Sequence, residues 1–433
     1  MIDSRDAAPS RRLTSTMSAA LLVLVGIAGS CHPLGDRPPD PLNIEARGGR
    51  PVNTSGVVMV VVVVVVVTAL AFDFTNGFHD TANAMATSIA TGALRPKVAV
   101  LIAGVLNLVG AFLSVEVAKT ISGGLVDDSR VTPVVIFAGL VGAILWNLVT
   151  WLLGLPSSSS HALFGGLIGA ALAAGGPDAV HFGSVVAKVV IPAVISPVLA
   201  GLVALAATCL AYWISTRADP AAVRAGFRAG QVVSASTVAL AHGANDAQKT
   251  MGVITLLLIT AGVLAPGSGP PFWVVASAGL AIAFGTYMGG WRIIRTLGNR
   301  VGDLQTTQGF TAETTSAAVI LTSTHLGIPL STTQVCTGSI FGAAAGRRLH
   351  AVHWRVAGQV ALAWVATLPA AAIVGAAASW VATQGTAGVV VVAVGGSVLA
   401  AGIWFASRRN PVNALNVNDV PVPVSSARAG AAA

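Results

Sequence analysis

The sequence predicts an all-α polytopic membrane protein with an inverted-topology repeat, two broken helices and two helical hairpins. Three observations predict it. The 433 residues are 54% hydrophobic and only 9% charged, with a mean hydropathy of +0.80, whereas a soluble chain carries about 25% charged residues. Apolar runs recur along the chain, with room for roughly ten spans of about 20 residues each. Two polar stretches, Asn76-Gly77-Phe78-His79-Asp80-Thr81-Ala82-Asn83 and His242-Gly243-Ala244-Asn245-Asp246-Ala247-Gln248-Lys249, sit in matching frames inside such runs. An aspartate at membrane depth is expensive and usually functional, so a matched pair places the working part between two duplicated halves.

Composition excludes other classes. The net charge of +8 comes from basic residues in short loops between apolar runs, as membrane topology dictates, and no nucleic-acid partner is expected. Cys31, Cys209 and Cys336 form neither a disulfide framework nor a metal-ligand spacing with histidine. No metal site is expected, and no cofactor beyond a coupling cation, H+ or Na+.

Residues 1–55 read as a signal-like, disordered extension. Arg11-Arg12 precede a short apolar run at 17–30, and a Pro/Gly/charged linker follows. A cleaved signal, an extra helix and an over-called start all fit this pattern. Residues 56–215 are the first transmembrane repeat. Its valine run, Val60 to Val67, is read as helix because a lipid-facing segment must satisfy its own backbone. Polar residues and Gly77 break that helix at 73–77, and it resumes at Thr81. A second span covers 97–115, and a polar loop covers 116–130. An arm from Val131 to Leu155 then meets Pro156-Ser157-Ser158-Ser159-Ser160-His161 and returns through a Gly/Ala-rich arm, Ala162 to Ala174. Proline ends the first arm and a serine caps the second, which makes a hairpin with a polar tip. The span 184–215 carries Pro192 and Pro197 as kinks.

A cytoplasmic connector, 216–230, carries Arg217, Arg224 and Arg228. The second repeat with its closing helices, 231–407, restates the plan. A helix broken at His242 to Asp246 is followed by a span at 272–291 and a basic connector with Arg292, Arg295 and Arg300. A second hairpin turns at Ile328-Pro329-Leu330-Ser331-Thr332-Thr333-Gln334, and spans 356–377 and 387–407 close the membrane part. Residues 408–433 read as a disordered tail.

The repeats align through Asp80 with Asp246, Gly77 with Gly243, Pro156 with Pro329, Ser158 to Ser160 with Ser331 to Thr333, and Gly165 and Gly169 with Gly338 and Gly342. Threading the spans puts Arg95, Lys97, Arg217, Arg224, Arg228, Arg292, Arg295, Arg300, Arg347, Arg348, Arg355, Arg408 and Arg409 on one side. Only Lys119, Arg130 and Lys188 fall on the other. The basic side is then cytoplasmic. The hairpins enter from opposite sides, as in alternating-access carriers.

The two tips cluster hydroxyls, Ser157, Ser158, Ser159 and Ser160 in one and Ser331, Thr332 and Thr333 in the other, each at the start of a helical arm where unpaired N–H groups and the helix dipole favour an anion. Together they would cage a tetrahedral oxyanion. Asp80 and Asp246 suit phosphate better than sulfate, because phosphate near neutral pH still carries a P–OH that donates to a carboxylate. They could also hold the coupling cation. Asn76, Asn83 and Asn245 add amide donors and acceptors. Asp73 lies seven residues before Asp80 on nearly the same face, with Ala239 as its counterpart. Lys249 stands where repeat one has Asn83, and offsets an aspartate or attracts the anion. Glu313 opens the second hairpin as a cap or a functional group. His79, His161 and His242 are candidate proton carriers.

At these residues the chain resembles the inorganic phosphate transporter (Pit) family. FDFTNGFHDTANAMATSIATGAL (72–94) and ALAHGANDAQKTMGVI (239–254) look like its paired signatures. LPSSSSHALFGG (155–166) and GIPLSTTQVCTGSIFG (327–342) look like its hairpins, and GFTAETTSA (309–317) is similar too. The resemblance covers about 56–407. It implies secondary-active phosphate uptake in the cell membrane, with Asp80, Asn245 and Asp246 on motif positions and the Ser/Thr tips on phosphate-coordinating ones. His79 stands where the commonest form has Asn. That is similar to the bacterial low-affinity branch, which implies proton coupling and phosphate carried free or as a divalent-metal complex, and it puts a symmetrical pair of sodium sites in doubt. The expected partners are inorganic phosphate and membrane lipid, with a homo-oligomer as an open alternative. Sodium coupling, sulfate or another oxyanion, and a passive channel are the transport alternatives. An intramembrane hydrolase using Ser160 and His161 is the enzymatic one, disfavoured because repeat two has Gln334 in place of the histidine.

Overall fold

Lipid offers no hydrogen-bond partner to an amide, so a chain this apolar must close its backbone bonds within each segment. The computed structural model describes residues 54–122, 126 and 130–419. The readings of 1–53 as a signal-like extension and of 420–433 as a disordered tail lie outside the described residues. Among the described residues the chain is helical, with a single bridge between Val126 and Val180 in place of any strand.

The first half contains α1 (Thr54–Ala90), α2 (Pro96–Gly110), the short α3 (Glu116–Ser122), α4 (Pro133–Leu153), α5 (Ser159–Gly175) and α6 (Phe182–Ile214). The second contains α7 (Pro220–Thr260), α8 (Phe272–Met288), α9 (Trp291–Asn299), α10 (Thr306–His325), α11 (Thr332–Arg347), α12 (Trp354–Ala382) and α13 (Thr386–Ser407). Among the described residues five helices are individually long and apolar enough to cross a membrane, and the α8–α9 pair, bent by 65°, meets the same test only when its two helices are taken together. The others are too short or too polar to meet that test alone.

Both hairpins form as the sequence predicts. Thr132 caps α4 and Gly154, in the left-handed region at φ 66°, ends it. Ser158 caps α5 by accepting the His161 N–H, and Ser331 caps α11 by accepting the Gln334 N–H. Proline before each tip keeps the arms from fusing into one helix.

The two broken helices do not form. α1 runs unbroken for 37 residues through Asp73 to Gly77, and α7 runs unbroken for 41 residues through His242 to Asp246. The glycines serve close approach instead. A Cβ on Gly77 would collide with the Ile282 carbonyl of α8, and one on Gly243 with the Asn107 carbonyl of α2. Of the polar side chains that looked like breaks, Asn76, His242, Asn245 and Asp246 find partners on neighbouring helices, whereas Asp73 finds none. α7 also absorbs most of the predicted connector at 216–230, since Asp219 caps it through the Ala222 N–H. Pro192 is accommodated by a π-helical stretch, Val186–Val190, just before it. Residues 408–419 are not loose: Arg292 donates to the carbonyls of Ser407 and Asn410 at 2.7 and 2.6 Å, and Arg295 donates to that of Asn416.

Packing between the halves is reciprocal. α1 packs on α8 and α7 on α2; α5 packs on α12 and α11 on α6. In the last two pairs a glycine meets backbone: Gly169 faces Ala372, and Gly342 faces Gly201. Small residues of this kind let membrane helices pack backbone to backbone. Gly342→Val is therefore expected to abolish recovery of monodisperse detergent-solubilised protein, read by size-exclusion chromatography. A normal elution profile would show that this crossing does not hold the hairpin.

Candidate functional site

The site lies where α1, α7 and the two hairpin tips converge, and all of its groups are buried. From α1, His79 donates its Nδ1–H to Asp80 Oδ1 at 2.6 Å. Its Nε2 lies 3.2 Å from Thr150 Oγ1 and 3.3 Å from Ser157 Oγ, and Ser157 also donates to Thr150 at 2.8 Å. The first tip adds Ser159, which donates to Asp80 Oδ1 at 3.1 Å. The second tip reaches the opposite oxygen: Thr333 donates to Asp80 Oδ2 at 3.1 Å, and Thr332 donates to Asp246 Oδ2 at 3.2 Å.

From α7, Lys249 Nζ donates to Asp246 Oδ1 at 2.5 Å and to Ser160 Oγ at 2.6 Å. The counterpart of that contact is Asn83 Nδ2 donating to Thr333 Oγ1 at 3.1 Å, so each motif helix holds the other half's arrangement in mirror form. Asn76 Nδ2 lies 3.4 Å from Asp246 Oδ2. His242 Nε2 lies 3.4 Å from Asp246 Oδ2 and 3.9 Å from Asp80 Oδ2. The tautomer of His242 follows from its other side. Thr286 donates its hydroxyl to the Ile282 carbonyl and accepts from Asn107 Nδ2 at 2.7 Å, so Asn107 turns its Oδ1 to His242 Nδ1 at 3.0 Å. That nitrogen carries a proton, and Nε2 is left facing two carboxylates.

The chemistry of this set is donor-rich around paired acceptors. Three hydroxyls (Ser159, Thr332 and Thr333), the Asn76 amide and the Lys249 ammonium donate directly to two carboxylates. Ligand atoms of Asp80, His242 and Asp246 all lie within 4.8 Å of one another, close enough to share a cation. Beside Gly154, three residues before Ser157, a cleft of about 430 Å³ is lined by Arg292, Arg295 and Arg300.

A model of the phosphate transporter family matches residues 76–375. The chain belongs to the phosphate transporter family. Among its relatives, the probable low-affinity inorganic phosphate transporter of Mycobacterium tuberculosis (strain ATCC 25618 / H37Rv) is 54% identical over 355 residues, covering 81% of this chain and 85% of the relative. The protein of the same description from Bacillus subtilis (strain 168) is 41% identical over 327 residues, covering 75% and 98%. A solved structure, the sodium-dependent phosphate transporter, superposes with a TM-score of 0.68 at 25% identity, over 75% of this chain and 99% of that one. This phosphate transporter family member is a multi-pass helical membrane protein.

Not every residue singled out in the sequence joins the cage. Ser158 and Ser331 serve as helix caps. Asn245 turns away and donates to Thr324 Oγ1 at 2.9 Å, in the first arm of the second hairpin. Asp73 is fully buried with neither oxygen hydrogen-bonded, and Thr250 Oγ1 and Asn76 Oδ1 are likewise unpaired. His161 gives its backbone N–H to Ser158, and its ring takes no part in the cage. Ser160 meets Lys249 rather than His161, which leaves the hydrolase pairing without geometry. Gln248, quoted only as part of the second motif, uses its Oε1 to accept the Val117 and Ala118 N–H groups that open α3, while two participants, Thr150 and Asn107, escaped sequence reading altogether. Their mid-helix positions carry no local signal.

Proposed function

We propose that this chain is a secondary-active symporter that brings inorganic phosphate inward, coupled to protons, by alternating access between two inverted repeats. The observation that carries the reading is the cage itself: the first tip bonds Asp80 through Ser159, the second bonds Asp246 through Thr332, and Thr333–Asp80 and Lys249–Ser160 join the two halves. In the bound state the tip hydroxyls, Lys249 and the asparagines turn to phosphate oxygens, and the P–OH of the ligand donates to Asp80 or Asp246. Sulfate has no proton to offer there. Phosphate travels free or as a divalent-metal complex, and the arginine-lined cleft beside the first tip offers an anion a path on the basic, cytoplasmic side.

A proton on His242 Nε2 would sit between Asp246 and Asp80 and would let both carboxylates stay ionised beside the ligand. His79 and Asp73 extend the titratable set along α1. Reciprocal packing of α1 on α8 and α7 on α2, and of α5 on α12 and α11 on α6, supports the inverted repeat. Sodium coupling is the second reading, favoured by the convergence of Asp80, His242 and Asp246 and by the name of the solved relative.

Labelled-phosphate uptake into proteoliposomes tests this. A pH gradient, alkaline inside, is expected to drive accumulation without sodium, and sulfate in excess is expected not to compete. Accumulation that follows only a sodium gradient would move the coupling to the second reading. Uptake indifferent to both gradients would sink symport.

A further inference from the structure

Glu313 takes no part in the cage and is not a helix cap, since Gln305 and Gln308 already form the capping box of α10. It is 3% exposed. Its Oε1 accepts from Thr87 Oγ1 at 2.5 Å, Ser88 Oγ at 2.7 Å and Gln231 Nε2 at 3.3 Å, and its Oε2 accepts from Ser234 Oγ at 2.6 Å. Those donors come from α1 and α7, so the carboxyl ties both motif helices to the second hairpin.

We infer that Glu313 is a second proton-carrying site, separate from the cage, through which the coupling proton passes on its way to the basic side of the membrane. The inference rests on the symport reading above. A buried carboxylate without a cation is costly and is usually neutralised, and here every partner is neutral. The charged and titratable groups on the helices packed around it are Asp73, His79 and Asp80 of α1, Arg224, Arg228, His242, Asp246 and Lys249 of α7, Lys188, Cys209 and Tyr212 of α6, and Cys336 and Arg347 of α11, with Arg228 exposed and bonded to the Gly92 carbonyl. None forms an ion pair with Glu313 among the described residues. The nest also accepts either protonation state without rearrangement. Ser234 Oγ lies 3.2 Å from the Gln231 carbonyl, so its hydrogen can turn there while a protonated Oε2 donates to Ser234 Oγ. Thr91 donates to Gln231 Oε1 at 2.8 Å, which holds the Gln231 amide facing the carboxyl. Thr87 lies one helical turn beyond Asn83, about 6 Å along α1, toward the end followed by Arg95 and Lys97. The carboxyl therefore stands between the cage and the side to which the proton must be delivered.

Glu313→Gln separates the steps. A carrier that cannot release its proton is expected to lose net phosphate uptake at least tenfold while still exchanging labelled for unlabelled phosphate at equal concentrations. Ser234→Ala removes the donor to Oε2 and so disfavours the ionised form. It is expected to shift the internal-pH dependence of uptake to more alkaline values, with uptake at high internal pH near that of the wild type. Net uptake and exchange retained together, or lost together with an unshifted Ser234→Ala profile, would overturn the assignment. Wild-type uptake without any response to pH would instead sink the symport reading, and this one with it.

Discussion

Asp80→Asn is expected to lower phosphate uptake by about 10²–10³-fold while leaving the protein folded. The carboxylate accepts from His79, Ser159 and Thr333. An amide offers one acceptor oxygen, and its NH₂ opposes one of those donors. Losing a buried charged interaction of this kind costs roughly 3–5 kcal/mol, and about 1.4 kcal/mol is tenfold. The fold should survive because no lysine or arginine depends on Asp80 among the described residues. The same change removes the charge that repels sulfate, so residual uptake should be more sensitive to sulfate than in the wild type. Uptake kinetics in proteoliposomes, with sulfate as competitor, decide it. A rate within twofold of wild type would remove Asp80 from the ligand site.

The hairpins and the matched aspartates were legible because their signals are local. Proline followed by hydroxyls at the start of a small-residue arm means the same thing wherever the arm packs. The continuity of α1 and α7 was not legible, because Asn76, Gly77 and Asp80 read alike whether a helix breaks or a neighbour solvates it. The difference lies in α8 and α2, whose carbonyls at Ile282 and Asn107 press against Gly77 and Gly243. Division of the tip hydroxyls was hidden for the same reason. Ser158 and Ser160 belong to one serine run, yet one caps its own helix and the other accepts Lys249 from the far half. The hydrogen bonds of residues 408–419 to Arg292 and Arg295 were equally invisible, since the donors sit more than a hundred residues away in sequence.

Lys249 is where the two copies differ most, and it sets the second large effect. Lys249→Met is expected to leave Asp246 without the ammonium that holds its Oδ1, with Thr332 and Asn76 as neutral donors and His242 nearby. Asp246→Asn is expected to leave the Lys249 ammonium buried without a counter-charge, with only an amide oxygen and the Ser160 hydroxyl as acceptors. Each single change should therefore destabilise the protein by about 3–5 kcal/mol, because breaking a buried pair strands one charge. The double variant, Asp246→Asn with Lys249→Met, strands none and should recover most of that loss, since a neutral pair often replaces a buried ion pair at little cost. Transport should not recover, because the double variant has neither the carboxylate for the P–OH nor the ammonium for the phosphate oxygens. Thermal unfolding in detergent and proteoliposome uptake, measured on the same preparations, separate the two roles. Additive losses of stability would mean that the pair is not coupled. Restored uptake in the double variant would make Asp246 and Lys249 a structural bridge rather than part of the phosphate site.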